Sequence, residues 1–356
     1  MRQFHPLKVT RLTRETDDSI RVGLAVPEQL RDEYLFLPGQ HVPIEATIDG
    51  RRTRRTYSIC STPGRPELEI GVRIQPGGRF STFVAERLAV GDELKVMPPI
   101  GQFHAEPDPA RARTCVAFAA GSGITPILSI LTATLESEPG SRVILFYGNR
   151  RQLSTMFIDD LYALKNRFPE RVQLHFLFSR EEQEFPVMSG RLDADKVAEL
   201  YRAFAIETPP DDVYVCGPDT MIQTVTDALV RLGVAAERIH AERFGAPRKT
   251  AAPPPAELVE DGSSVDVTVV MDGHRRSFAM PKEGASIVDA AAARGVELPY
   301  SCKGGVCATC RTHLASGEVR MDQNYGLEPW EVEKGYILAC QSHPLSDEIV
   351  LDYDRT

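Results

Sequence analysis

The sequence predicts three domains: an antiparallel β-barrel, an α/β domain on a parallel sheet, and a small α+β domain carrying a cysteine loop. Three observations point to this. Short runs that alternate apolar and polar residues fill positions 1–105. Strand-like and helix-like runs then alternate through 106–245. A proline-rich tether follows, then a hairpin pattern, a helix pattern and three cysteines close together. At 356 residues, 42% apolar and 26% charged, the chain is long enough to bury a core in each part.

In the first segment LKVTRL, SIRVGLAV, HVPIEATI, LEIGVRI and ELKVM read as strands, punctuated by Pro-Gly, Asp-Gly and Gly-Asp turns. RRTRRTYSIC (51–60) contains Arg55, Tyr57 and Ser58. Downstream, GVRIQPGGRFSTFV sets Gly77 and Gly78 ahead of an expected helix start at Ser81. An anionic dinucleotide needs a cation, an aromatic plate and a helix N-terminus with free N–H groups. Arg55, Tyr57 and the Gly78–Ser81 turn supply these in order, which makes the segment a candidate FAD site. Arg-x-Tyr-Ser alone also fits an exposed strand end with a few arginines.

In the second segment TCVAFAA, RVILFYG, VQLHFLF, DVYVCG and RIHAERF read as parallel strands. SILTATLE, FIDDLYALKNRF and MIQTVTDALVRL read as the helices between them. The charge-free stretch 114–135 is interrupted by Gly121, Gly123 and Pro126, so a strand, a tight turn and a helix are expected rather than a membrane span. AGSGITP (120–126), with Gly121, Gly123 and Thr125, departs from the full dinucleotide fingerprint because proline holds the third glycine position. Its N–H groups can still face a pyrophosphate. Cys216, Gly217 and Pro218 end another strand, and ligands of open parallel sheets sit beyond the carboxyl ends. Ser179 and Arg180 in FSREEQ, with Arg150, are candidates for the 2′-phosphate that separates NADPH from NADH. Glu181 and Glu182 follow at once, so a solvated charged loop is the competing reading.

Prolines 253–255 make the tether over 246–262 semi-rigid. Beyond it, a hairpin is expected about Asp272-Gly273, and a helix over SIVDAAAARG ending at Gly295. The loop SCKGGVCATC then spaces Cys302, Cys307 and Cys310 as C-x4-C-x2-C, with Cys340 apart in YILACQ. That is the plant-type [2Fe–2S] pattern. Two bridged irons need four thiolates, and one loop can deliver three only if its backbone wraps closely. Gly304 and Gly305 are expected to allow this. Ser301, Ala308 and Thr309 are small enough to leave N–H groups facing sulfur. Structural zinc and a disulfide framework are the alternatives, but zinc favours two paired knuckles where only Cys307 and Cys310 form one, and disulfides conflict with a reducing compartment. Cys60, Cys115 and Cys216 are expected to be buried thiols, and His240 and His313 strand residues rather than ligands.

The formal charge of −9 argues against nucleic acid as a partner. From Ser263 onward 14 acidic residues face 9 basic ones, a balance of −5, which gives either a solvated surface or one that steers a basic partner. MRQFHPLKVTRLTRET has no apolar run after its basic residues, so no secretory signal is expected, and seven cysteines without one point to a reducing cytoplasm.

Together RTYS, GGRFS, AGSGITP, SREEQ and CGP follow the order of the ferredoxin–NADP⁺ reductase superfamily, which the chain resembles, with a plant-type ferredoxin domain fused at the C-terminus. The phrases FLPGQH, YGNRR, HAERF, LPYSCKGGVCATC and NYGLEPWEVEKGYILACQ resemble the reductase components of phenylacetyl-CoA ring-epoxidising monooxygenases. Reductases that serve ketosteroid hydroxylases, acyl-CoA desaturases and ring dioxygenases share most of these motifs. The resemblance implies a FAD barrel over 1–105, a NAD(P) domain over 106–245, a linker over 246–262 and a β-grasp ferredoxin domain over 263–356.

It also implies roles. Tyr57 would stack on the isoalloxazine with Ser58 at its N5 edge, while Arg55, Gly78 and Ser81 hold the FAD pyrophosphate. Gly121, Gly123 and Thr125 would line the NADPH cleft, with Cys216 beside the nicotinamide and Phe244 covering the flavin. Cys302, Cys307, Cys310 and Cys340 would be the cluster ligands. The implied partner is the oxygenase component of a multicomponent monooxygenase, a diiron protein in the epoxidase case. Electrons would arrive in pairs from NADPH and leave singly through the cluster, with FAD between them. Two alternatives compete: a reductase of soluble acceptors without a dedicated partner, and a zinc-stabilised or redox-sensing C-terminal module.

Overall fold

A computed structural model describes residues 3–204, 209–244 and 264–355, so the expected tether at 246–262 lies outside the described residues. The chain forms two compact units. One holds Phe4–Thr53 and Tyr57–Phe244, and the other holds the described residues from Ser264 onward with Gln3 and Arg54–Thr56.

The first part of the larger unit is a six-stranded sheet of β1 (His5–Thr16), β2 (Ser19–Ala25), β3 (His41–Ile48), β4 (Arg51–Ser58), β5 (Glu67–Arg73) and β6 (Glu93–Val96). Its order is β4-β3-β6-β1-β2-β5. An Ile59–Ile70 bridge and a 2.8 Å bond from Cys60 N to the Glu69 carbonyl join the outer strands. That closure removes open edges. Alternate residues, among them Leu7, Val9, Val22, Leu24, Ile70 and Val72, form the interior. Helix α1 (Arg79–Glu86) adds Phe80 and Val84.

The second part stacks five parallel strands in the order β11-β10-β7-β8-β9. These are β7 (Thr114–Ala120), β8 (Arg142–Asn149), β9 (Val172–Phe178), β10 (Asp212–Gly217) and β11 (Ile239–Arg243). Residues 115–119 are buried throughout because both faces are covered. Cys115, Ala117 and Ala119 pack under α2 (Ile124–Ser137) and α3 (Ile158–Arg167). Val116 and Phe118 pack under α4 (Ala194–Ala203) and α5 (Asp219–Arg231). The charge-free stretch is thus β7, a turn and α2. Among the described residues no helix is long and apolar enough to cross a membrane.

The smaller unit has a mixed sheet of order β13-β12-β18-β14-β16 and a short β15-β17 pair. Its strands are β12 (Ser264–Met271), β13 (His274–Pro281), β14 (Arg311–Ser316), β15 (Val319–Met321), β16 (Tyr336–Leu338), β17 (Ser342–Pro344) and β18 (Glu348–Asp352). Asp272 (φ 57°) and Gly273 (φ 72°) make the expected hairpin turn, the left-handed pair that suits strand twist. The central β18 pairs parallel with β12. Helix α6 (Ile287–Ala293), capped by Ser286 Oγ accepting from Asp289 N, packs Ile287, Val288 and Ala291 into the core of this sheet. This is a β-grasp arrangement. A one-turn helix, α7 (Pro329–Glu333), precedes β16.

Candidate redox site

The parallel strands end level with one another. Ala119 pairs with Cys216, Ala120 with Gly148, Asn149 with Phe178, and Cys216 with Glu242. The Gly-Ser-Gly turn begins where β7 ends. Gly121 takes φ +55° and its carbonyl accepts the Tyr147 hydroxyl at 2.8 Å. A Cβ on Gly123 would lie 2.1 Å from the Cys216 carbonyl oxygen, so only glycine lets α2 start this close to β10. Thr125 Oγ1 donates to the Ser122 carbonyl at 2.9 Å. No side chain caps the start of α2; the turn Gly121–Gly123 runs straight into it, with Ile124 N–H bonded to the Gly121 and Ser122 carbonyls.

An arginine that no sequence motif marked stands beside this turn. Arg73, at the end of β5, binds Asp18 (Nη2–Oδ2 2.7 Å) and the Ser154 carbonyl (3.4 Å). Its Nη1 lies 3.6 Å from where a Gly121 Cβ would be. The pattern in GVRIQPGG draws attention to its glycines, and nothing local singles out the arginine.

At the end of β4, Tyr57 is partly buried and its ring lies 5.6 Å from that of Phe80, tilted by 38°. Arg55 is exposed and folds onto the Arg54 carbonyl at 2.6 Å. Helix α1 starts at Arg79, two residues before the expected Ser81, with Gly78 as its N-cap. Ser81 is buried, and its hydroxyl accepts from Gln75 N (3.0 Å) and donates to the Gly78 carbonyl (3.1 Å). It therefore shapes the turn.

Ser58 Oγ donates to Glu242 Oε2 at 3.3 Å, and His41 Nδ1 lies 3.3 Å from Glu242 Oε1. Neither Glu242 nor His41 was expected here from sequence. Cys216, the register partner of Glu242, is fully buried. Burial first, and the Glu242 charge second, hold its thiol well above the ordinary range. Gly217 is buried, Pro218 is exposed, and Phe244 is half exposed at the end of the described segment.

Arg150, Ser179 and Arg180 are exposed where β8 and β9 end. Backbone bonds from Ser179 N to the Asn149 carbonyl and from Arg180 N to the Arg150 carbonyl, both 3.0 Å, continue the strand pairing there. Glu181 Oε2 accepts from Gln152 N at 2.8 Å, so one of the two acids is turned onto the loop.

The cysteine loop binds its own sulfur atoms. Gly304 N (3.3 Å) and Cys307 N (3.5 Å) point at Cys302 Sγ, and Cys302 N points at Cys307 Sγ (3.5 Å). Cys307 Sγ lies 3.1 Å from Thr309 Oγ1. Gly305 takes the expected positive φ (+72°), but Gly304 does not. Lys303 (φ 51°) and Ala308 (φ 49°) make the other left-handed steps, because the wrap needs them at those positions whatever the side chain. A Cβ on Gly305 would meet the Gln323 carbonyl at 2.9 Å, and one on Gly326 the Val306 carbonyl at 2.7 Å.

The thiols pair two and two. Cys302 is hydrogen-bonded to Cys307 and Cys310 to Cys340. The Cys307 bond, helped by backbone N–H groups, holds Cys302 well below the ordinary thiol range, while its partner is pushed up. Among the described residues no three Cys, His, Asp or Glu side chains converge as they would on a single ion. Two pairs of thiols in a cradle of N–H groups fit a two-iron cluster better than one zinc. Cys60 and Cys115 lie elsewhere, in apolar cores, with thiols pushed up to about 12 by burial.

A closed barrel ending in Arg-x-Tyr-Ser, a phosphate turn on a parallel sheet and paired thiols in a β-grasp define an NAD(P)H-dependent flavin and iron–sulfur oxidoreductase. Residues 6–105 match the oxidoreductase FAD-binding domain, 118–227 the oxidoreductase NAD-binding domain, and 269–345 the 2Fe-2S iron-sulfur cluster binding domain. One of the subunits of 1,2-phenylacetyl-CoA epoxidase from Escherichia coli (strain K12) is 41% identical over 99% of both chains. The ferredoxin reductase component of 3-ketosteroid-9-alpha-monooxygenase from Rhodococcus rhodochrous is 32% identical over 98% of this chain and 96% of its own. The solved structure of phthalate dioxygenase reductase, a modular structure for electron transfer from pyridine nucleotides to [2Fe-2S], superposes over 98% of both chains with a TM-score of 0.59 at 25% identity. The chain belongs to the family of reductase components of multicomponent oxygenases.

Proposed function

We propose that the chain carries electrons from NADPH to the diiron oxygenase component of a phenylacetyl-CoA epoxidase in the cytoplasm. The observation behind this choice of oxygenase is the 41% identity to the Escherichia coli epoxidase protein along 99% of both chains. The proposed domains are 1–105, 106–245 and 263–356, with 246–262 as tether. Bound FAD and [2Fe–2S] supply the conversion of a hydride's electron pair into single electrons.

The chain's own residues place these groups. Tyr57 offers its ring to the flavin and Ser58 its hydroxyl, while Arg55, Gly78 and Ser81 form the seat for the FAD pyrophosphate. Gly121, Gly123 and Thr125, with Arg73 beside them, seat the NADPH pyrophosphate against the start of α2. Arg150, Ser179 and Arg180 take the 2′-phosphate. Cys216, Gly217 and Pro218 line the nicotinamide end, and Phe244 shields the flavin. Cys302, Cys307, Cys310 and Cys340 hold the cluster.

The test combines the purified protein, NADPH, the oxygenase component and phenylacetyl-CoA. Epoxide should form with the native chain and fail with Cys340→Ser, which should still pass electrons from NADPH to ferricyanide. Full coupled turnover by the variant would remove the cluster from the route.

A further inference from the structure

One end of the β-grasp sheet holds two hydroxyls with nothing to bond to among the described residues. In the β14–β18 pairing His313 stands opposite Asp352, so the next antiparallel position sets Thr312 opposite Tyr353, with both side chains on one face. Thr312 Oγ1 and Tyr353 Oη are both buried, and neither has a hydrogen-bond partner among those residues. Tyr353 is held in place, because its N–H donates to the Val270 carbonyl at 2.9 Å.

Its ring packs on the apolar core that contains Cys310 and Cys340. A tyrosine hydroxyl carries its proton near neutral pH, so the buried oxygen is a donor. A buried donor without an acceptor is costly, and such groups are rare in folded proteins. Here an acceptor would arrive with the cofactor, since the sulfur atoms of an iron–sulfur centre are anionic and take hydrogen bonds. Such bonds are one of the levers that set the potential.

We propose that Tyr353 donates its hydroxyl hydrogen bond to sulfur on the Cys310–Cys340 side of the bound cluster and thereby raises the potential at which the cluster takes an electron. The inference rests on reading the four cysteines as the cluster ligands. A donor favours the reduced form because that form carries one more negative charge.

The experiment compares the wild-type holoprotein with Tyr353→Phe, which keeps the ring and removes one oxygen. Potentiometric titration followed by electron paramagnetic resonance should give a more negative midpoint for the variant. Resonance Raman bands of the Fe–S core should shift in D2O for the wild type and shift less in the variant. Thermal unfolding of the apo forms should show Tyr353→Phe equal to or more stable than wild type, because a partnerless buried hydroxyl has gone. Coincident midpoints would overturn the proposal, and so would an apo variant that melts lower, since the hydroxyl would then already have a partner. A wild type that holds no cluster after reconstitution would overturn the ligand assignment itself.

Discussion

Ser58 Oγ and Glu242 Oε2 lie 3.3 Å apart, tying the end of a barrel strand to the last strand of the nucleotide sheet. The other carboxylate oxygen meets His41 Nδ1 at the same distance. In Glu242→Gln the shape survives but the charge on this bond is lost. Hydrogen bonds to charged groups contribute about 1.5–3 kcal/mol, so kcat for NADPH–ferricyanide turnover should fall on the order of tenfold or more. KM should change little, because Glu242 is not among the residues proposed to seat the coenzyme phosphates. Steady-state kinetics at saturating FAD check this, and a loss confined to KM would contradict it.

Two arginines should fail in different ways. Arg180 stands at a strand end, where only the 2′-phosphate distinguishes the two nucleotides, so Arg180→Ala should lower kcat/KM for NADPH by about 10–100-fold and spare NADH. Arg73 stands beside the turn proposed to seat the pyrophosphate common to both nucleotides, so Arg73→Ala should lower both by a similar factor. Equal losses with NADH and NADPH in Arg180→Ala would remove it from the 2′-phosphate site.

Acid should loosen the base of the nucleotide sheet. Glu138 is fully buried, and Arg113 binds it twice (Nε–Oε2 2.9 Å, Nη2–Oε1 2.8 Å) while Ser141 Oγ donates at 2.6 Å. Burial opposes the charge, but these bonds prevail and the carboxyl titrates below its usual range. A lowered folded-state value means stabilisation that is complete above the unfolded value of about 4.3 and lost as pH falls through the folded one. Glu138→Gln weakens the two charge-assisted bonds to Arg113, which keeps its bond to Asp212 (Nη1–Oδ2 2.6 Å), so it should cost about 1.5–3 kcal/mol at pH 7. The gap to wild type should narrow below about pH 4. Denaturant melts across pH measure both effects.

Much of this organisation is written locally. The C-x4-C-x2-C spacing, the glycines within 114–135 and the Asp272-Gly273 turn each act over a few neighbours, so pattern alone finds them. Elements that depend on meeting across the fold were less visible. Glu242 reaches Ser58 and His41 only because β11 ends level with β10, and no neighbour of Glu242 announces this. Arg73 is silent for the same reason. In the cysteine loop the wrap itself chose Lys303 and Ala308 for left-handed backbone where glycine chemistry pointed to Gly304. Helix α4 went unread, although Asp193 caps it by accepting from Lys196 N at 2.9 Å.

The lack of room at Gly123 has an evolutionary consequence. Main chain presses on main chain there, so any side chain at position 123 would push α2 off β10, and drift at that residue is barred. On the proposed reading, discrimination between the two electron donors falls instead to the exposed strand tips around Arg150 and Arg180. A lineage that changed its fuel would need to rewrite only those tips.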